Sequence, residues 1–366
     1  MKFRCDKESL LHAIDVVSKK ESANKSTGTY FKTSNSSLDI KSSSFTMSIS
    51  SSVKNVEIEE PGEMFIPPTG IYEVVKRLPN GDVAVEYNQS ESLVTFSAGK
   101  ATFTLHTIKP DSFTSLDVKN VDYALTLSGE DFLGMCRKVA FACSTDPGRP
   151  VFTGCSLSVD KGKVTLVGTN THRLAVKSCC WTSLDGDKAS PIIIPAPSLF
   201  EAVRTMDAED NIRIAVGDNR VMIASDSASI TSALIAGVFP DYKKIMPQSC
   251  PITVRVGTNE FRNTLDRVWL IAKSNDYTLM RLIVDNNQMQ VAASNSVIGN
   301  INDTLTVEHT GDPIEICFNL RYIHDLLKAT ELEEITIGMS GPLATTEITD
   351  SDLEYKYLVT PVRARG

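Results

Sequence analysis

Long apolar runs are missing from this sequence. Nowhere in its 366 residues do about 18 apolar residues follow one another, so no membrane-spanning helix is expected. The opening "MKFRCDKESLLHAIDVV" is interrupted by Asp6, Glu8, His12 and Asp15, so it does not read as a secretory signal. On that reading the Asn-x-Ser/Thr triplets at Asn24, Asn35, Asn88 and Asn302 are accidents of a serine-rich composition.

Histidine is scarce, with only His12, His106, His172, His309 and His324. None stands at ligand spacing from another His, Cys or Asp, so no metal site is expected. The eight cysteines (5, 136, 143, 155, 179, 180, 250 and 317) contain no Cys-x-x-Cys pair. Several lie in apolar stretches such as "LGMCRKVAFAC". They read as reduced core thiols of a cytoplasmic protein, with a strained local disulfide between Cys179 and Cys180 as the alternative. Also absent are the phosphate-binding G-x-x-x-x-G-K-[ST], the nucleophile elbow G-x-S-x-G, the zinc-protease H-E-x-x-H and a glycine-rich dinucleotide fingerprint. No cofactor and no catalytic residue are therefore expected. Positive charge is not in excess either: the net charge of −8, taken alone, points away from nucleic acid.

What the sequence does contain is itself, three times. "DKESLLHAIDVVSKK", "SGEDFLGMCRKVAFAC" and "GTNEFRNTLDRVWLIAK" share one amphipathic pattern. Leu10, Ile14 and Val17 in the first match Phe132, Cys136 and Val139 in the second and Phe261, Leu265 and Val268 in the third. Asp6, Ser128 (with Asp131 three residues on) and Thr258 or Asn259 are the expected caps. A second helix recurs in "FIPPTGIYEVVKRLPNGDVAV", "IIIPAPSLFEAVRTMDAEDNIRIAV" and "ICFNLRYIHDLLKATELEEITIGM". There Pro67, Pro195 and Asn319 occupy equivalent places. Short alternating strands such as "SLDIKSSSFTMSISS" and "QMQVAASN" lie between the helices. The fold expected is α+β: three repeated domains, each with two helices packed on antiparallel sheet, over residues 1–120, 121–248 and 249–366.

"VGTNTHRLAV" (167–176) is the most unusual polar stretch. His172 could orient a nucleophile, but neither Thr169 nor Thr171 has a readable base and orienter. It could equally be structural, or place an imidazole and a guanidinium beside a binding pocket.

Four motifs then fall in order: "GRPVFTGCSLSV" (148–159), "VGTNTHRLAV", "GVFPDYKKIMP" (237–247) and the C-terminal "YLVTPVR" (357–363). With the threefold repeat they closely resemble the bacterial β sliding clamps, processivity factors of the replicative DNA polymerase. "NKSTGTYFKT" (24–33) departs from the family's usual Arg-x-x-Leu-Pro-type stretch. The resemblance implies a non-enzymatic protein of the DNA-clamp fold, a head-to-tail homodimer closing a ring whose helices line a hole for duplex DNA. The charge distribution agrees: the six helical segments carry +1, +1, 0, 0, +1 and +1, leaving −12 for the remainder. Lys19, Lys20, Lys25, Arg77, Arg149 and Arg204 are the DNA-facing candidates, and a mildly positive bore would hold DNA without stopping it from sliding.

The resemblance further implies a cleft between the second and third domains for Gln-Leu-x-Leu-Phe-like tails of the polymerase, clamp loader and repair proteins. Carried over motif by motif, its residues are Phe152, Thr169, Thr171, His172, Arg173, Leu174, Pro240, Lys244 and Ile245. The third domain adds Tyr277, Asn319, Tyr322, Leu343, Thr345, Leu358, Thr360, Pro361 and Val362. Leu174, Ile245, Leu343, Leu358 and Val362 would form an apolar slot, with Thr169, His172 and Arg173 free to bond the peptide backbone and its leading Gln. Thr171 stands where the family commonly has Gly, and Thr360 where it has a large apolar residue. The dimer seam would set Phe103 and Leu105 against Trp269, Leu270 and Ile271 of the other copy. Two other readings remain open: an enzyme using His172 and Arg173 on a phosphorylated small molecule, and a three-domain scaffold without a DNA role.

Overall fold

The computed structural model describes residues 1–18, 28–67, 70–108, 116–186, 190–273 and 278–363. Among them are six α-helices: α1 (Lys7–Val17), α2 (Ile71–Arg77), α3 (Gly129–Val139), α4 (Ala196–Thr205), α5 (Thr258–Ala272) and α6 (Leu320–Ala329). The remainder is antiparallel strand and turn, so the α+β class and the two helices per repeat are as expected. Lys19, Lys20, Lys25 and Tyr277 lie outside the described residues.

The chain divides into two compact units that cut across the threefold repeat. One comprises Met1–Asp131, Trp181–Ala189 and Phe200–Leu234; the other comprises Phe132–Cys180, Ser190–Leu199 and Ile235–Gly366. Each is organised by a nine-stranded sheet that runs from one repeat into the next. Strand pairing there is as regular as within a repeat, so the division does not fall at the repeat junctions.

In the first unit, strand Ala228–Ala233 of the second repeat pairs with Met47–Val53 of the first, Ile230 opposite Ile49 and Thr231 opposite Ser48. Helices α1 and α2 pack on each other, and α1 covers strand Met47–Val53. Asp6 caps α1 by accepting from Ser9 N at 2.8 Å, satisfying a first-turn donor that would otherwise lack a partner. Helix α1 ends at Val17, with Ser18 extended as its C-cap. Ser128 Oγ accepts from Asp131 N at 3.1 Å at the head of α3, as its sequence spacing predicts. A five-stranded sheet completes this unit, with strand Ala101–His106 at one edge.

In the second unit, Arg173–Cys180 pairs with Tyr355–Val359, setting Leu174 opposite Leu358. Helix α5 buries Phe261, Thr264, Leu265, Val268 and Ala272, a one-sided stripe at 3.6-residue spacing. Its cap is Gly257, without a side-chain bond, rather than Thr258 or Asn259: Asn259 Oδ1 instead accepts from Arg262 Nη1 at 3.2 Å. Arg262 also binds Leu327 O and Thr330 O, satisfying carbonyls at the end of α6. Asn319 caps α6 by accepting from Arg321 N at 3.0 Å. A four-stranded sheet ends in strand Gly299–Thr306.

Six of the eight thiols are buried, while Cys250 is half-buried and Cys180 exposed. Cys179 and Cys180 form no disulfide: successive residues of a strand face opposite sides, and Cys179 Sγ instead meets Met135 Sδ at 3.0 Å.

Candidate binding cleft

Within the second unit, the hairpin of strands Lys163–Thr169 and Arg173–Cys180, the end of strand Tyr355–Val359, and the segment Phe239–Ile245 enclose a cleft of about 280 Å³. Its floor follows from strand alternation. Leu174 and Val176 share a face with Val167 and Leu358, and Phe239, Tyr242 and Met246 pack against that cluster. Phe152, at a short helical turn (Pro150–Thr153), meets Phe239 edge to face with ring centroids 6.3 Å apart. Asp241 accepts from Lys243 N at 3.2 Å and starts the turn that carries Tyr242 and Ile245. Ile245 stays 54 % exposed, so the slot is apolar yet open to solvent.

The hairpin tip is fixed by its own side chains. Thr169 Oγ1 donates to Arg173 O at 2.6 Å and accepts from Thr171 N at 3.0 Å. Asn170 Oδ1 accepts from His172 N at 3.0 Å and Arg173 N at 2.9 Å. His172 O receives both the backbone N–H of Thr360, at 2.9 Å, and its hydroxyl, at 3.1 Å. This network holds Thr171 at φ +76°. Left-handed backbone costs an L-residue about 1–2 kcal/mol, and a β-branched side chain is a poor occupant.

Arg173 does not reach into the cleft as a free donor. Its guanidinium lies between the rings of Phe141 and Tyr322, 5.4 and 4.8 Å from their centroids. Nη1 meets Asp325 Oδ2 at 2.7 Å and Nη2 donates to Phe141 O. Both residues line the cleft, but Thr169 Oγ1 and the Arg173 Nη groups are engaged within the chain, while the buried Arg173 Nε has no hydrogen-bond partner among the described residues. Only His172 and Thr171 keep exposed side chains there. Tyr357, beneath the same cluster, donates its hydroxyl to Tyr322 O at 2.9 Å, and burial pushes its ionisation up although Arg173 opposes this.

Of the residues named from sequence, Phe152, Thr169, Thr171, His172, Arg173, Leu174, Pro240, Ile245, Thr345, Leu358 and Thr360 line the cleft. Phe239, Asp241, Tyr242 and Val359 join them, although the sequence reading had not singled them out. Phe239, Asp241 and Tyr242 sit inside the quoted "GVFPDYKKIMP", where two aromatic rings around a proline were the available signal. Lys244, Asn319, Tyr322, Leu343, Pro361 and Val362 are not part of the lining: Asn319 caps α6, Tyr322 stacks on Arg173, and Val362 N donates to Cys317 O at 2.8 Å. Lys244 and Leu343 stay exposed.

The basic candidates are placed unequally. Arg149 is exposed and Arg77 pairs with Glu73 along α2. Arg204 is engaged: it meets Glu201 at 2.7 Å and donates to Asp15 O and Val16 O at the end of α1. Trp269 stacks on His324 in its own chain, whose Nε2 lies 2.7 Å from Asp266 Oδ1; Leu270 is 71 % exposed. His172 has no Ser, Cys or carboxylate partner placed for nucleophilic chemistry, and no group of three His, Cys, Asp or Glu could hold a metal among the described residues.

Three repeats joined by continuous sheets, with an open apolar cleft where the second and third meet, are the architecture of a clamp. Profiles described as the DNA polymerase III beta subunit match residues 1–117 (N-terminal domain), 126–241 (central domain) and 243–363 (C-terminal domain). The chain belongs to that family, the bacterial DNA sliding clamps, which confer processivity and are not enzymes. The beta sliding clamp of Bacillus subtilis (strain 168) is 26% identical over 378 residues, covering 99% of this chain and 100% of that protein. That of Staphylococcus aureus (strain N315) is 27% identical over 291 residues, covering 79% and 76%. The crystal structure of the Bacillus subtilis DNA polymerase sliding clamp superposes with a TM-score of 0.89 at 25% identity, covering 100% of both chains. The DNA polymerase III beta subunit of Thermotoga maritima gives 0.88 at 22%, again over 100% of both.

Proposed function

We propose that two copies of this chain join head to tail around duplex DNA, without regard to its sequence, in the cytoplasm. The cleft would then take short Gln-Leu-x-Leu-Phe-like segments of the replicative polymerase, the clamp loader and repair proteins. The observation that carries this reading is the cleft: apolar floor, aromatic wall and polar rim together suit an extended peptide with two or three apolar anchors.

Two open sheet edges support the assembly. Strands Ala101–His106 and Gly299–Thr306 each stand at the edge of their sheet, and each presents unpaired backbone groups. Phe103 and Leu105 are half-buried on the first. Helix α5, which bears Trp269, Leu270 and Ile271, packs against the second. The seam we propose is therefore strand to strand, with those helix residues beside it.

Light scattering should give a particle of about 80 kDa from the 40.0 kDa chain. Calorimetry with a Gln-Leu-x-Leu-Phe peptide should show micromolar binding. A monomer would overturn the ring, and a dimer that ignores the peptide would overturn the cleft. Retention on circular but not linear DNA separates a clamp from a scaffold with no DNA role.

A further inference from the structure

We propose that Thr171 is a specificity residue of the cleft, its hydroxyl bonding the side-chain carboxamide of the docked peptide's leading Gln. This rests on the peptide-docking reading above.

The observation is a conformation the fold does not require of this side chain. Nine described non-glycine residues have positive φ: five Asn (35, 55, 219, 286 and 287), Ser92, Lys161, Asp218 and Thr171. Thr171 alone is β-branched, the type least suited to that region. The hydrogen bonds that fix the hairpin tip use Thr169 Oγ1, Asn170 Oδ1 and Thr360. From Thr171 they take only the backbone N–H, which any residue but proline would supply. Glycine would fit the same turn without strain. The strained side chain is nevertheless there, exposed at the cleft, with a hydroxyl that makes no hydrogen bond among the described residues. Backbone strain held by its surroundings at a binding site is a pointer to a role in binding.

The neighbouring groups narrow that role. Four threonines, 169, 171, 345 and 360, line the cleft. Thr169 donates to Arg173 O and Thr360 donates to His172 O, and Thr345, further along the lining, is half-buried, so the exposed hydroxyl of Thr171 is the one most open to a ligand. Arg173, the obvious alternative, is held by Asp325, Phe141 and Tyr322. A carboxamide can both donate to and accept from a hydroxyl, whereas the apolar anchors of the same peptide belong on the floor at Leu174 and Leu358.

The test is calorimetry on the full-length protein with a Gln-Leu-x-Leu-Phe peptide and its Ala-Leu-x-Leu-Phe counterpart, beside thermal melts. Thr171→Gly should melt no lower than the parent yet bind the Gln peptide about five-fold more weakly, the worth of one hydrogen bond. Thr171→Val, which keeps the branch and loses the hydroxyl, should lose the same factor, while Thr171→Ser should bind like the parent. All four proteins should bind the Ala peptide alike. Equal affinity of Thr171→Gly and parent for the Gln peptide, or an equal loss with both peptides, overturns the proposal and leaves the cleft intact. A parent that binds neither peptide overturns the docking reading itself.

Discussion

The guanidinium of Arg173 lies 2.7 Å from the Asp325 carboxylate and is stacked between Phe141 and Tyr322. It thereby ties the hairpin that carries the cleft to helix α6 of the next repeat. With its side chain only 7% exposed, Arg173 positions the cleft from behind.

Arg173→Ala should destabilise the second unit by about 3 kcal/mol, because Asp325 and Phe141 O lose their partner. Arg173→Lys should recover little of that: an ammonium has neither the fork nor the flat face that the two rings and two acceptors use. Urea denaturation reads both. A stability equal to the parent's would mean that the pair contributes nothing.

Ile245 offers the opposite case. It lines the cleft while 54% exposed, so the folded chain draws little stability from it. Ile245→Ala should weaken peptide binding by about 1–2 kcal/mol, the usual loss for a truncated anchor contact, with no change in melting temperature. Unchanged affinity in calorimetry would place the peptide elsewhere.

The proposed seam is nearly free of charge. Strand Ala101–His106 exposes Thr102, Thr104 and His106, and strand Gly299–Thr306 exposes Asn300, Asn302, Thr304 and Thr306, while Asp303 is paired with Arg267. Dimerisation measured by sedimentation should therefore shift less than about three-fold between low and high salt, since screening acts on charges. Leu105→Arg should yield the 40.0 kDa monomer. Strong salt sensitivity would point to a different surface.

Asp352 makes the fold sensitive to acid. Burial alone would raise its carboxyl, but hydrogen bonds and charge from Lys177 and Lys138 outweigh burial and hold it below the usual range. A carboxylate with a depressed folded value contributes stability in full above its unfolded value of about 4, and loses it as pH falls through the folded one. Melting temperature should drop between about pH 5 and pH 2. Asp352→Asn should be less stable at neutral pH and show a flatter acid limb; an unchanged limb would exclude Asp352 as its source.

Much of the site was legible because its motifs are local. The quoted stretches "VGTNTHRLAV", "GVFPDYKKIMP" and "YLVTPVR", matched to the family motif by motif, each hold residues that line the cleft. What could not be read was the fate of the polar groups. Thr169 and Arg173 looked available because their partners, Arg173 O, Phe141 O and Asp325, come from a carbonyl and a distant helix that no spacing rule connects. The open edge at Gly299–Thr306 was missed for the same reason: which strand ends a sheet depends on topology.

By itself the sequence determined the repeat, the amphipathic helices, the caps at Asp6 and Ser128, and the family, because each rests on periodicity or on residues close along the chain. Only the tertiary structure decided that sheets run unbroken from repeat to repeat, that Arg173 and Arg204 serve their own chain, and that Thr171 is held at φ +76°. Those outcomes depend on which groups meet across long separations. There a polar atom takes the nearest partner that replaces water.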